Sequence, residues 1–153
     1  MLSRLIFRRL NSTTTTTTAA AKAPLPIVIC GRSPQVSSAV TRGLLPDYTV
    51  AHIILSPEAG VRNLPGFLRR GAGNPTPVAV LIGGGYTDED LNLMKVSCRG
   101  VPPIIWLKAR QRDMTGPLPP FAEYGMEIGG IARAVLNDIR SRGELSKGQT
   151  YYL

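Results

Sequence analysis

The sequence predicts an α/β protein: a small three-layer sandwich with a mostly parallel sheet of four to five strands. Two observations carry that prediction. Short, uninterrupted apolar runs of strand length recur at 25–30, 77–82 and 104–107, as strands covered on both faces require. Stretches with helical apolar spacing and capping residues lie between them. Such alternation argues for a parallel sheet covered by helices, and four strands are too few for a (β/α)₈ barrel.

Leu25 to Cys30 (LPIVIC) opens the domain as a buried strand. Gly31-Arg32-Ser33-Pro34 ends it and starts a helix, with Ser33 as N-cap and Pro34 at the first helical position. Val36, Ala39, Val40, Gly43 and Leu44 give that helix its inner face. Tyr48 to Leu55 reads as the second strand. In the stretch from Ser56 to Gly73, Val61, Leu64, Phe67 and Leu68 mark a short helix that Pro65 and Gly66 interrupt. Pro77 to Ile82 is the third and strongest strand, closed by Gly83-Gly84-Gly85-Tyr86. Thr87 with Asp90 three residues on forms a capping box, and the helix it opens runs to Cys98. Val101 to Leu107 supplies the fourth strand. Lys108 to Met126 is proline-rich and without periodicity, so a long loop is expected. Ile128, Ile131, Ala132, Val135, Leu136 and Ile139 then recur at helical spacing as one apolar stripe.

Ahead of this domain, Met1 to Leu10 (MLSRLIFRRL) is Arg-rich and acid-free, with a Ser/Thr-rich stretch after it. That is the pattern of a mitochondrial transit peptide bound for the matrix. Thr13 to Thr18, then Ala19 to Ala21 and Pro24-Leu25-Pro26, form a low-complexity spacer with nothing to bury, and the folded domain begins close to Leu25. The expected organisation is therefore a leader and linker over 1–24, the α/β domain over 25–143 and a C-terminal tail over 144–153. About 130 residues remain without the leader, enough to bury roughly two thirds of the unfolded surface. No apolar run in the 153 residues is long enough to cross a bilayer.

The formal charge of +8 on the whole chain suggests nucleic acid at first sight. Its distribution weakens that reading. Arg4, Arg8, Arg9 and Lys22 belong to the leader and spacer, and from Ala23 onward 14 Lys and Arg stand against 10 Asp and Glu. The domain is only mildly basic, so nucleic acid is not the expected partner. Cys30 and Cys98 sit at the ends of apolar segments and read as reduced, structural thiols. With His52 as the one histidine, no metal site is expected.

In open parallel sheets ligands sit at the carboxyl ends of the strands. That edge is lined by Gly31 to Pro34, Ser56-Pro57, Gly83 to Tyr86 and Lys108 to Arg112. Two of these loops feed helix N-termini, which favour a phosphate. The candidate binding residues are accordingly Gly31, Arg32, Ser33, Ser56, Gly83, Gly84, Gly85 and Tyr86. Gly31 and Gly83 to Gly85 let the backbone approach a ligand, Ser33 and Ser56 offer hydroxyls, and Arg32 offers charge. No catalytic residue emerges, because no G-x-S-x-G elbow, P-loop, Tyr-x-x-x-Lys dyad or Cys/His spacing is present. Asp88, Glu89 and Asp90 fall in a helix first turn, where the dipole accounts for them.

In pattern, residues 25 to 142 resemble the Rossmann-like nucleotide-binding domains, with a flavodoxin-like arrangement as the near alternative. The first loop keeps only Gly31 of the G-x-G-x-x-G fingerprint, with Val36 at its last glycine position. The resemblance implies binding of a nucleotide or another phosphorylated small molecule, in a minimal or degenerate oxidoreductase. Ser56 with Arg62 downstream suits a 2′-phosphate, which makes NADP the implied cofactor. Two other readings stay open. One is a non-enzymatic interaction or assembly protein of a mitochondrial complex. The other is RNA or ribosome association through Arg62, Arg69, Arg70, Arg110 and Arg112.

Overall fold

The computed structural model describes residues 23–69, 75–110 and 119–153. The leader reading, apart from its last two residues, and the readings on Arg70 and Arg112 lie outside the described residues. The elements in order are β1 (Leu25–Cys30), α1 (Pro34–Leu44), β2 (Tyr48–Ile54), α2 (Pro57–Phe67), β3 (Ala79–Ile82), α3 (Asp88–Ser97), β4 (Ile105–Lys108), α4 (Phe121–Ser141) and β5 (Thr150–Tyr152). The strands form one five-stranded sheet, all parallel, in the order β2-β1-β3-β4-β5. This is the three-layer α/β architecture that the alternation of segments predicts. Its strand order is one of the two common doubly wound arrangements.

Alternation along each strand builds two cores. Ile27, Ile29, Ala79, Leu81, Ile105 and Leu107 face α1 and α4, meeting Val40, Leu44, Ala132, Leu136 and Ile139. Val28, Cys30, Val80, Ile82 and Trp106 face the other way, onto Leu64, Leu91 and Met94 of α2 and α3. The uninterrupted apolar runs of β1 and β3 thus reflect burial on both sides.

The expected caps form. Ser33 Oγ accepts from Val36 N at 3.3 Å with Pro34 in the first helical turn. The Thr87–Asp90 capping box is complete in both directions, at 3.0 and 2.9 Å. Two helices run further than their sequences suggest. α2 continues through Pro65, because that proline sits in the last turn and removes only one ladder bond. α4 starts at Phe121, so the loop expected as far as Met126 is shorter than it reads. The residues after 143, expected as a tail, return to the sheet and add β5 beside β4.

The last crossover reverses hand. The steps from β3 to β4 and from β4 to β5 run in the same direction across the sheet. Yet α3 lies on one face and α4 on the other, with α1. The first three connections share one hand and the fourth has the opposite one. Parallel crossovers are right-handed in about 98% of cases, so the reversal is a departure. Its effect is to set α4 against α1, the largest helix–helix contact of the fold. There Gly43, Gly125 and Gly129 let the two backbones touch: a Cβ on Gly129 would fall 2.5 Å from Val40 O.

Candidate ligand cleft at the strand ends

The strand order changes direction between β1 and β3, and the loops after these two strands leave the sheet side by side. Gly31 N donates to Ile54 O and Gly83 N to Cys30 O, both at 2.8 Å. A Cβ on Gly83 would lie 3.3 Å from Cys30 O and 3.6 Å from Gly31 Cα, so the two loops run in close contact. Beside them a cleft of about 370 Å³ opens between α1 and α4. Its floor is Ile29 and Leu81, its α1 wall Val36, Ser37 and Val40, and its α4 wall Phe121, Tyr124 and Ile128. The rim is Gly31, Arg32, Ser33, Gly83, Gly84, Gly85 and Ala109. The interior is mostly apolar with polar groups at the mouth, the usual build of a small-molecule site.

Arg32 is the cation of that mouth. Its Nε donates to Gly85 O at 2.9 Å, and its guanidinium lies 5.5 Å from the centre of the Tyr86 ring. No carboxylate pairs with it among the described residues. The loop after β3 thus holds this charge at the rim of the cleft, beside the Tyr86 ring. α1 begins at the same rim, and so does α4, which starts after Pro120 without a side-chain cap.

Six of the eight sequence-derived residues, Gly31, Arg32, Ser33, Gly83, Gly84 and Gly85, meet on this one cleft. The other two sit elsewhere. Ser56 is the N-cap of α2, and its Oγ accepts from Ala59 N at 3.2 Å. Tyr86 turns under the sheet: its N donates to Gly83 O at 3.2 Å, and its buried ring joins the α2/α3 core. There its hydroxyl donates to Ile54 O at 3.4 Å, and burial pushes its pKa up, with Cys30 adding and Arg32 opposing.

Lys108 braces the rim from the opposite face of the sheet. It is 3% exposed, and its Nζ donates to Ala109 O at 2.7 Å and to Gly83 O at 3.4 Å. Burial pulls the amine below the usual lysine range, while Asp88 and Asp90 oppose the shift. Cys30, next to the first loop, points into the α2/α3 core, where burial and then Cys98 push its thiol up to about 12. His52 stacks on Phe67 with ring centres 3.7 Å apart, so it serves packing between β2 and α2. Among the described residues no group of three His, Cys, Asp or Glu gathers to hold a metal. No described helix is long and apolar enough to cross a membrane.

Sequence reasoning missed the walls of the cleft. Phe121 and Tyr124 lay in a segment expected as loop. Ser37 belongs to no motif, although it falls four residues after Ser33 and three before Val40, on the inner stripe of α1.

No family model matches the chain, and no solved structure matches it. It is 30% identical over 164 residues, spanning the full length of both chains, to Kojic acid related protein 6 of Aspergillus oryzae (strain ATCC 42149 / RIB 40). Likeness at that level over both whole chains makes this protein a member of the same family as Kojic acid related protein 6.

Proposed function

We propose that the domain is a small-molecule-binding module whose cleft takes a nucleotide or another phosphorylated compound. The phosphate lies at the mouth, against Arg32 and the start of α1, and the ring of the compound lies between α1 and α4. The observation that supports this reading is the meeting of Gly31, Arg32 and Gly83 to Gly85 on one apolar cleft at the point where strand order reverses. Ligands of open parallel sheets bind at such points, and a helix N-terminus favours an anion. NADP belongs to this proposal as one candidate ligand, and a minimal or degenerate oxidoreductase as one candidate role.

Thermal shift and calorimetry on the full chain with NADPH, NADH, FMN and ATP test the reading. Kojic acid belongs in the same series because the relative's name mentions it. A ligand present at a hundred times its Kd stabilises the fold by about 2.7 kcal/mol. No shift with any of them at millimolar excess refutes the proposal. The Arg-rich, acid-free start of the chain supports delivery to mitochondria, and import into isolated mitochondria with processing of the precursor tests that part.

A second reading, as an interaction or assembly protein of a mitochondrial complex, draws on β2. This edge strand carries no charged residue, and Ile53 within it and Leu55 just after it are each 46% exposed. Bare apolar edges invite a pairing partner. Stable co-migration with a large complex on affinity purification supports this reading, and a free monomer speaks against it.

A further inference from the structure

Ser37 is 2% exposed. Its backbone is used, with N donating to Ser33 O at 3.0 Å and O accepting from Thr41 Oγ1 at 2.9 Å. Its Oγ makes no hydrogen bond among the described residues, although a helical serine can usually return its hydroxyl to the carbonyl one turn back. The atom is not sealed in the core either: Ser37 lines the cleft, and no side-chain polar atom of the described residues is both fully enclosed and unpartnered. Gly31 keeps the approach open, since a Cβ there would stand 3.0 Å from this Oγ. A buried polar group without a partner calls for a specific explanation, and here it faces the inside of an apolar cleft.

We propose that Ser37 Oγ reads a ring nitrogen or oxygen of the cleft's ligand, which is therefore a phosphorylated heterocycle and not a phosphorylated hydrocarbon. The inference rests on the cleft reading above and narrows its substrate class. The anionic group lies at the mouth near Ser33, and Ser37 is four residues further along α1, about 6 Å along the helix axis. A single heteroaromatic ring together with its phosphoester arm spans that distance. The ring faces sit against Val40 and Ile128, where the walls are apolar.

The test compares Ser37→Ala with the unaltered full chain, using calorimetry and two classes of probe. Pyridoxine 5′-phosphate, AMP and FMN are the heterocycles; benzyl phosphate and 1-naphthyl phosphate are the hydrocarbons. The expected result is a three- to tenfold loss of affinity for the best heterocycle, as losing one neutral hydrogen bond brings. Hydrocarbon affinity stays unchanged. The ligand-free variant keeps or raises its Tm, because an unpaired hydroxyl has gone and alanine favours the helix. Equal losses for both classes, no loss for the heterocycle, or a lower ligand-free Tm overturns the inference. If the hydrocarbon phosphates bind and Arg32→Gln releases them while Ser37→Ala changes nothing, the cleft reading survives without Ser37. If neither class binds the unaltered protein, both fail.

Discussion

Tyr48 donates through its hydroxyl to Asn137 Oδ1 at 2.8 Å, tying the start of β2 to α4 across 89 residues of sequence. Asn137 passes the connection on, its Nδ2 donating to Asp47 Oδ2 at 2.8 Å. Tyr48 is fully buried, and that burial raises its pKa, with Arg140 opposing. Tyr48→Phe keeps the ring and leaves Asn137 Oδ1 short of a donor. The expected cost is about 1 kcal/mol, read as a lower urea midpoint at unchanged m.

The α1–α4 contact gives a paired prediction on two adjacent glycines. Gly129→Ala brings a Cβ to within 2.5 Å of Val40 O and 2.9 Å of Gly43 Cα, and those backbone atoms cannot yield. Helix propensity alone favours alanine by ~1 kcal/mol, but overpacking reverses the sign to a loss of about 1–3 kcal/mol. Gly130→Ala meets nothing within 4 Å and gains up to ~1 kcal/mol. Thermal unfolding of the two variants side by side checks both signs.

Alkaline pH weakens the fold through its thiols. Cys30 is pushed up to about 12 by burial and then by Cys98, and burial raises Cys98 as well. In the unfolded chain such thiols ionise near pH 8.5. The native state therefore holds its protons longer, so stability is complete below about pH 8.5 and declines as the pH climbs towards 12. Urea midpoints measured from pH 7 to 11 check the direction. At pH 8, iodoacetamide labels neither thiol until the protein is unfolded.

Arg32 separates binding from stability. The side chain is exposed, and its links to Gly85 O and the Tyr86 ring make Arg32→Gln cost the free protein no more than about 1 kcal/mol. Phosphate-bearing ligands lose a charge-assisted hydrogen bond and bind about tenfold or more weakly. Calorimetry at low and moderate salt distinguishes this from a general loss of fold, because the remaining affinity also becomes less sensitive to salt.

The layers of this fold were legible where a residue's neighbours in sequence are also its neighbours in space. Leu25 to Cys30 reads as a strand covered on both faces because nothing in it is polar, and Ser33, Thr87 and Asp90 act on amides within three residues of themselves. Gly125 shows where such reading stops. It falls in the stretch expected as loop, yet it is a helical glycine whose absent side chain makes room for Ala39 and Val36 O on α1. Thr150 to Tyr152 is too short to show a period, and only Trp106 to Lys108 beside it makes it a strand. At the site, the rule for strand ends located Gly31 and Gly83 to Gly85. It says nothing of direction, so it also took in Tyr86, which the turn at Gly83 sends to the other core, and Ser56, whose hydroxyl the helix uses.

The reversed hand of the last crossover bears on the order of assembly. β1, β3 and β4 can pair while α1 still has one flank bare, but the cleft does not exist until α4 arrives from the far end of the chain. Its walls are separated in sequence by some ninety residues, as Tyr48 and Asn137 are. A nascent chain that stops short of α4 has the glycine loops and no cleft between them. A compound held there would bridge α1 near the start of the domain and α4 near its end. Binding of this kind would oppose unfolding of the whole domain and not only the fraying of one loop.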